Sequence, residues 1–168
     1  CRCGMAGEPG FTCARGPRCV TDYQARISGP LLDRIDIRID VPAVSAADLI
    51  RPVASEPSAA VAGRVARARL AQQERYAAAG FAAIRTNARC TTTLIEKYAE
   101  PDASGLQLLR DAAERLKFSA RGYHRILKVA RTLADLDGKQ TVGRIHVAEA
   151  VSYRIAGERL TAAAQSIQ

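Results

Sequence analysis

Arginine accounts for 21 of the 25 basic residues in this sequence of 168 residues, whose formal net charge is +8. The planar guanidinium suits bidentate contact with phosphate or carboxylate groups. A net positive charge favours nucleic acid or nucleotide partners but does not identify one. Two arginines, Arg34 and Arg121, stand in local surroundings that suit contact with another molecule.

Arg34 lies between a Gly29-Pro30 turn and a segment of alternating character. Apolar residues fall at every second position of that segment, with charged residues between them: Ile35, Ile37, Ile39 and Val41. This period of two predicts a half-buried strand over Ile35–Val41. An arginine between a tight turn and a strand would point out of the end of a sheet toward another molecule. The alternative is a salt bridge to a nearby aspartate, namely Asp33, Asp36 or Asp40.

Arg121 lies in the first turn of a helix predicted over Ser119–Leu136. Basic residues are disfavoured there, because the helix N-terminus carries a partial positive charge. An anion bound at the helix end would explain the arginine, and Arg125 on the same face is a weaker candidate for that contact. The alternative is an ion pair of Arg121 with Glu114 or Asp111 in the preceding helix.

Four cysteines punctuate the first 20 residues with C-x-C-x9-C-x5-C spacing: Cys1, Cys3, Cys13 and Cys19. Four thiolates in one loop could form a tetrahedral zinc site, although this spacing departs from the common C-x2-C pattern. Disulfides, which require an oxidising compartment, and reduced thiols in a flexible loop are the alternatives.

From residue 58 onward, the apolar residues recur with a helical period. Helices are predicted over residues 58–79, 91–98, 102–117, 119–136 and 144–160, joined by short connections that favour a small bundle. The prolines at positions 52 and 57 indicate a linker over residues 51–57. Cys90, just before the second of these helices, is predicted to be a small buried residue.

The first long helix carries two lines of side chains. The residues predicted to form its apolar side are Val61, Val65, Ala68 and Leu70. Arg64, Arg67 and Arg75 follow another side at helical spacing. These arginines form either a basic stripe for a DNA backbone or an ordinary solvated helix face.

Several function classes find no support in the sequence. No apolar run approaches the roughly 18 residues of a membrane helix, and no signal peptide is recognisable, so we expect a cytoplasmic protein. No G-x-x-x-x-G-K-[ST] phosphate loop occurs. Because the first residue is cysteine, we expect the chain to be part of a longer protein.

Three stretches resemble one known family. They are Cys1-Arg2-Cys3-Gly4, the run from Tyr23 to Asp36 (YQARISGPLLDRID), and Ser119–Leu136. In this order and spacing, they resemble the C-terminal part of the magnesium-chelatase-like AAA+ ATPases of the ComM/YifB type. The similarity covers essentially the whole chain.

The resemblance implies a mainly α fold in three parts. Residues 1–50 would be the C-terminal portion of an AAA+ ATPase core, a short α/β remnant with the cysteine-rich loop, the turn that carries Arg34 and one last strand. Residues 51–57 would be the linker, and residues 58–168 the helical lid domain. The Walker A and B motifs would lie upstream, so this chain alone should not hydrolyse ATP.

The resemblance also implies roles for the arginines. Arg34 would be an arginine finger acting on the ATP of a neighbouring subunit, and Arg121 would be the sensor-2 arginine of the lid, with Arg125 the less suitable substitute. The partners implied are ATP and Mg²⁺, bound mainly upstream, a homo-hexameric ring and DNA, which the motor would remodel during recombination of incoming DNA. The alternatives are an ATPase subunit of a metal-chelatase complex and a non-catalytic helical interaction module.

Overall fold

The computed structural model describes residues 2, 4, 13–16, 18–39, 41, 44, 49–50 and 56–155. The chain divides into two compact units. The first unit comprises Cys1–Pro52 and Tyr153–Gln168, and the second comprises Val53–Ser152. Each unit is described by itself.

The described residues of the first unit include two short helices, α1 (Arg18–Gln24) and α2 (Gly29–Leu32). The hydroxyl of Ser28 accepts a hydrogen bond from the Leu31 N–H at 3.3 Å and caps α2. Pro30 lies in the first turn, where its missing N–H removes no helical hydrogen bond. The Gly29-Pro30 pair, predicted from the sequence to be a turn, therefore opens a short helix.

The strand predicted over Ile35–Val41 is not formed in the described residues of that segment. The Arg38 N–H donates to the Tyr153 carbonyl at 3.0 Å, a single bond rather than a ladder. Ile39 and Val41 are 66% and 82% exposed. A strand requires a neighbouring strand to pair with its backbone, and the alternating sequence does not provide one. The described part of the fold is thus mainly helical, as predicted, but shows no strand.

The second unit is built from a series of helices whose bounds agree with the prediction to within a few residues. They are α3 (Ser58–Ala78), a 3₁₀ turn (Asn87–Arg89), α4 (Thr92–Tyr98), α5 (Ala103–Leu116), α6 (Ala120–Leu136) and α7 (Arg144–Ile155). The last three residues of α7 belong to the first unit. The predicted end of this helix near residue 160 lies outside the described residues.

Side-chain caps start three of these helices. Thr91, Asp102 and Ser119 accept hydrogen bonds from the N–H groups three residues later, at 3.4, 2.7 and 3.0 Å. Such caps satisfy backbone donors that have no partner inside the helix. Helix α5 ends at Lys117, which adopts a left-handed conformation with φ of 47°. After α6, Gly138 adopts the same left-handed conformation, with φ of 67°.

Helix α6 is the centre of the second unit and packs against α3, α4 and the 3₁₀ turn. The core side chains around it include Tyr76, Ile95, Leu109, Ile126, Leu127, Ala130, Val142 and Val147. Cys90 is buried, as predicted. Among the described helices, none has the length and apolar run that a membrane span requires.

The buried side of α3 differs from the prediction. The sequence favoured an apolar side that included Val61, Val65 and Leu70, but these three are 37%, 40% and 55% exposed. The buried residues are Ala68, Gln72 and Tyr76. The choice of side is set by polar partners on other segments, which hydrophobic periodicity does not detect.

Candidate functional site

Arg34 follows α2 directly and is exposed. Its backbone N–H donates to the Leu31 carbonyl at 3.0 Å, and its Nη1 donates to the Pro30 carbonyl at 2.9 Å. Among the described residues, no carboxylate forms an ion pair with it. Asp40, one of the partners considered, lies outside the described residues. The guanidinium is thus held locally by a carbonyl and keeps donors for a further partner.

Arg121 is exposed in the first turn of α6. The alternative predicted for it, an ion pair with Glu114 or Asp111, is not formed. Asp111 instead accepts from Gln107 on its own helix at 2.8 Å. Arg125 lies one turn further along α6 and is half-buried. Of the two candidates, Arg121 is the one that the described part of the structure leaves available.

Two side chains on the same stretch of α6 tie it to the preceding segments. The ring of His124 lies 2.7 Å from a carboxylate oxygen of Glu96 on α4 and 2.7 Å from the Ala120 carbonyl. Lys128 Nζ donates to the carbonyls of Ala88 and Cys90 at 3.0 and 2.8 Å. These contacts fix the helix end that carries Arg121.

A buried polar group inside the second unit was not predicted. We call it the Asp135 cluster; its members are Gln72, Arg75, Tyr76, Asn87, Arg131, Thr132 and Asp135. The Asp135 carboxylate accepts from Arg75 Nη1 at 3.1 Å, from Asn87 Nδ2 at 2.9 Å and from Arg131 Nε at 3.0 Å. A second Arg75 nitrogen also donates to it. The side chain of Asp135 is 1% exposed, so both arginines neutralise a buried charge.

Other polar groups of the Asp135 cluster are also bonded to protein atoms. Arg131 donates to the carbonyls of Lys139 and Gln140. The Tyr76 hydroxyl donates to Asn87 Oδ1 at 2.6 Å, and the Asn87 N–H donates to Gln72 Oε1 at 3.2 Å. The network is held together by protein groups, which is the arrangement of a structural core rather than of a ligand site.

Burial also shifts the protonation equilibria of the cluster. Desolvation lowers the pKa of the Arg131 guanidinium, with Asp135 acting against it. Desolvation is the largest single influence on Arg75 and acts to lower its pKa, but the hydrogen bonds that Arg75 donates to Asp135 and the negative charge of Asp135 together raise that pKa. Burial raises the pKa of the Tyr76 phenol.

The stripe predicted on α3 is corrected by this cluster. Arg75 is turned into the protein toward Asp135 and does not share an outer face with the other two arginines. Arg64 is exposed and paired with Glu56, with N–O distances of 2.8 and 2.9 Å. Arg67 is exposed. Of the three arginines, Arg64 and Arg67 are exposed, and Arg64 would have to leave Glu56 to make the DNA contact that the sequence suggested.

The cysteine-rich loop is described only in part. Cys1 and Cys3 lie outside the described residues. Cys13 and Cys19 are half-buried and form no disulfide with a described residue. Within the described ranges, no group of three or more metal-ligating side chains comes together. The zinc site on Cys1, Cys3, Cys13 and Cys19 stays a prediction.

The second unit coincides with a known family domain. Residues 55–154 match the family model described as magnesium chelatase, subunit ChlI C-terminal. Residues 1–49 match the model described as magnesium chelatase, subunit ChlI. The chain belongs to the magnesium chelatase subunit ChlI family. The start of the match at residue 55 falls inside the linker predicted from the two prolines.

Proteins from several bacteria are similar to this chain. An uncharacterised protein of Mycobacterium tuberculosis is 37% identical over 95% of the chain and 30% of its own length. The competence protein ComM of Haemophilus influenzae is 38% identical over 82% of the chain and 26% of its own length. YifB of Escherichia coli is 34% identical over the same shares. The chain spans less than a third of these relatives.

Proposed function

We propose that the protein carrying this chain is a ring-forming AAA+ ATPase that couples ATP binding and hydrolysis to the remodelling of DNA. In this proposal Arg34 is an arginine finger for the neighbouring subunit, and Arg121 is the sensor-2 arginine of the subunit's own site. The proposal rests on the exposure of these two side chains. Among the described residues, neither side chain has a carboxylate partner.

The chemistry of ATP hydrolysis explains why a free guanidinium matters at Arg34. Negative charge develops on the transferring phosphoryl group, and an arginine delivered in trans stabilises it. Such a finger accelerates hydrolysis by about 10³ to 10⁵, which corresponds to about 4–7 kcal/mol of transition-state stabilisation. An arginine already paired with a carboxylate would have to break that pair first.

The position of Arg121 suits an anion for a second reason. The first turn of α6 presents N–H groups whose partial positive charge attracts phosphate. An exposed arginine in that turn adds a full charge to the same place. A nucleotide phosphate bound there would link the occupancy of the ATP site to the position of α6.

DNA as the substrate is supported by charge and by one relative. The formal net charge is +8, and Arg64 and Arg67 lie exposed on α3. The relative in Haemophilus influenzae is a competence protein. ATP and Mg²⁺ would be bound mainly by residues beyond this chain, because its 168 residues contain no phosphate-loop motif.

Steady-state ATPase assays of the full-length protein test the finger. Arg34→Ala should lower kcat by about 10³ or more while the Kd for ATP stays within about twofold. Arg110→Ala, which removes an exposed arginine from α5, is the matched control and should turn over normally. Normal turnover by Arg34→Ala would exclude the finger.

A mixing experiment tests whether the two arginines serve different pockets. Arg34→Ala subunits retain the sensor, and Arg121→Ala subunits retain the finger. If the finger acts in trans, mixed rings contain some interfaces with both intact, and mixing should restore part of the activity. Rings of the Arg34→Ala/Arg121→Ala double variant supply the baseline. No recovery on mixing would place both arginines at one pocket.

A metal-chelatase subunit is the second candidate, favoured by the description of the matching family models. DNA binding separates the two. A DNA motor should bind DNA with a logarithmic salt slope of about −0.9 per phosphate neutralised. Arg64→Ala and Arg67→Ala should each make the slope less negative by about 0.9, the value for one phosphate contact. Indifference to DNA in the full-length protein would favour the chelatase function.

A further inference from the structure

Arg154, near the end of α7, is the most deeply placed cation of the first unit's described residues. Its side chain is 6% exposed. Its Nη2 donates to Asp33 Oδ1 at 2.6 Å, and its Nη1 lies 3.4 Å from the Ile35 carbonyl oxygen. All three residues belong to the first unit. The two acceptors are the residues immediately before and after Arg34.

The backbone around Arg34 is fixed on both sides. The N–H groups of Asp33 and Ile35 donate to the carbonyls of Gly29 and Leu32 at 2.9 and 3.1 Å. Further along, the Arg38 N–H donates to the carbonyl of Tyr153, the neighbour of Arg154. We call residues 28–35 the Arg34 turn. Its described hydrogen bonds are formed within the helical turn itself and with the end of α7.

Apolar packing does little to hold the Arg34 turn. Helix α2 has no buried residue. Leu31 is 50% exposed and Ile35 is 37% exposed. The polar contacts of Arg154 therefore restrain a turn that few apolar contacts hold. A guanidinium suits such a task, because its rigid fork reaches two acceptors at once.

From this geometry we infer that Arg154 is a positioning residue for Arg34. It binds the residues on either side of Arg34 and sets the direction in which the Arg34 side chain leaves the backbone. The inference rests on the proposed role of Arg34 as a finger. A misplacement of about 1 Å at a catalytic group can reduce the rate about 100-fold, so loss of this restraint should be measurable in kcat.

The test uses the full-length protein and steady-state ATPase kinetics. Arg154→Ala should lower kcat by about 10- to 100-fold and leave the KM for ATP within about twofold. Arg154→Lys keeps the charge but not the fork, and should recover part of the loss. Arg144→Ala removes an exposed arginine from the same helix and should behave as wild type.

The double variant Arg34→Ala/Arg154→Ala gives the sharper readout. If Arg154 acts only through Arg34, the double variant should be no slower than Arg34→Ala alone, because residues that act as a unit are non-additive. Asp33→Asn weakens the same bond from the other side and should reproduce the kcat loss if Arg154→Ala does not fold.

The outcomes separate this inference from the proposed function. A slow Arg34→Ala enzyme beside a normal Arg154→Ala enzyme would overturn the positioning role and leave the finger intact. Normal turnover by Arg34→Ala would overturn both. A rise in KM without a fall in kcat, or an additive loss in the double variant, would show that Arg154 acts elsewhere and would overturn the positioning role.

Discussion

The Asp135 cluster and the Arg34 turn are both built from arginine and aspartate, but they use the guanidinium groups differently. In the cluster, Arg131 donates to one carboxylate and two carbonyls and is 1% exposed. Arg154, which binds the Arg34 turn, is buried in a similar way, but it supports a second arginine that stays exposed. The comparison shows that the partner of an arginine determines whether it stabilises the fold or remains available to a ligand.

The largest effect is expected from removing the acid at the centre of the cluster. Asp135→Ala leaves Arg75 and Arg131 without their buried counter-charge. Breaking a buried ion pair by removing one partner costs about 3–5 kcal/mol, so the free energy of unfolding should fall by about that amount. Urea unfolding followed by circular dichroism measures it.

The control for this change is Asp111→Ala, which removes an exposed aspartate from α5. Surface changes of this kind stay within about 0.5 kcal/mol. Similar losses for the two variants would contradict the view that the Asp135 cluster acts as a polar core.

A second prediction compares two arginines on one helix. Arg75→Ala leaves acceptors of the Asp135 cluster unsatisfied, which should lower the free energy of unfolding by about 1–3 kcal/mol. Arg64 has an exposed partner in Glu56, and Arg64→Ala should give no measurable change, because water replaces such contacts. Equal destabilisation by both variants would contradict the distinction between a buried, structural Arg75 and an exposed Arg64.

A third prediction compares the two serine caps. Ser119→Ala should lower the free energy of unfolding by about 1 kcal/mol, because it removes the cap of the central helix α6. Ser28→Ala, at the four-residue helix α2, should instead increase amide exchange at Leu31 and leave global unfolding nearly unchanged. Ser119→Asp keeps a capping acceptor and should retain stability; failure to do so would show that Ser119 acts otherwise.

The smallest predicted effect concerns an exposed carboxylate and pH. The Gly105 N–H and then the Ser104 hydroxyl hold the pKa of Asp102 below its usual value. Its stabilising contribution is complete above about pH 3.9, the ordinary value for aspartate, and is lost as the pH falls through the lowered pKa.

Unfolding between pH 5 and pH 2 measures this contribution. Asp102→Asn retains a capping acceptor but does not titrate, so its stability should decline less steeply with acid than that of the wild type. Asp111→Asn is the control and should follow the wild-type curve. Identical curves for wild type and Asp102→Asn would disprove the assignment.

The helices of the second unit were predictable because their start signals are local. Thr91, Asp102 and Ser119 each bind a backbone N–H three residues away, and a sequence shows this spacing directly. The prediction of a strand over Ile35–Val41 was wrong for the described residues of that segment, because strand formation depends on a partner that the segment itself does not contain.

The candidate site was predictable in part. Arg34 and Arg121 were singled out from their neighbours in sequence, and the structure exposes both. Arg154 was missed, because its partner Asp33 lies 121 positions earlier. The Asp135 cluster was missed for a similar reason, since Arg75 and Asp135 are 60 positions apart. Long-range polar contacts leave no periodic signal.

The hydrogen bond from Arg34 to the Pro30 carbonyl has a consequence for the conformational entropy of the Arg34 side chain. It uses one N–H of Nη1, and the other N–H groups of the guanidinium can bind an anion without breaking it. Because the bond already limits the rotamers of the side chain, fewer rotamers are left to lose when an anion binds. The carbonyl thus preorganises Arg34 and does not compete with a ligand.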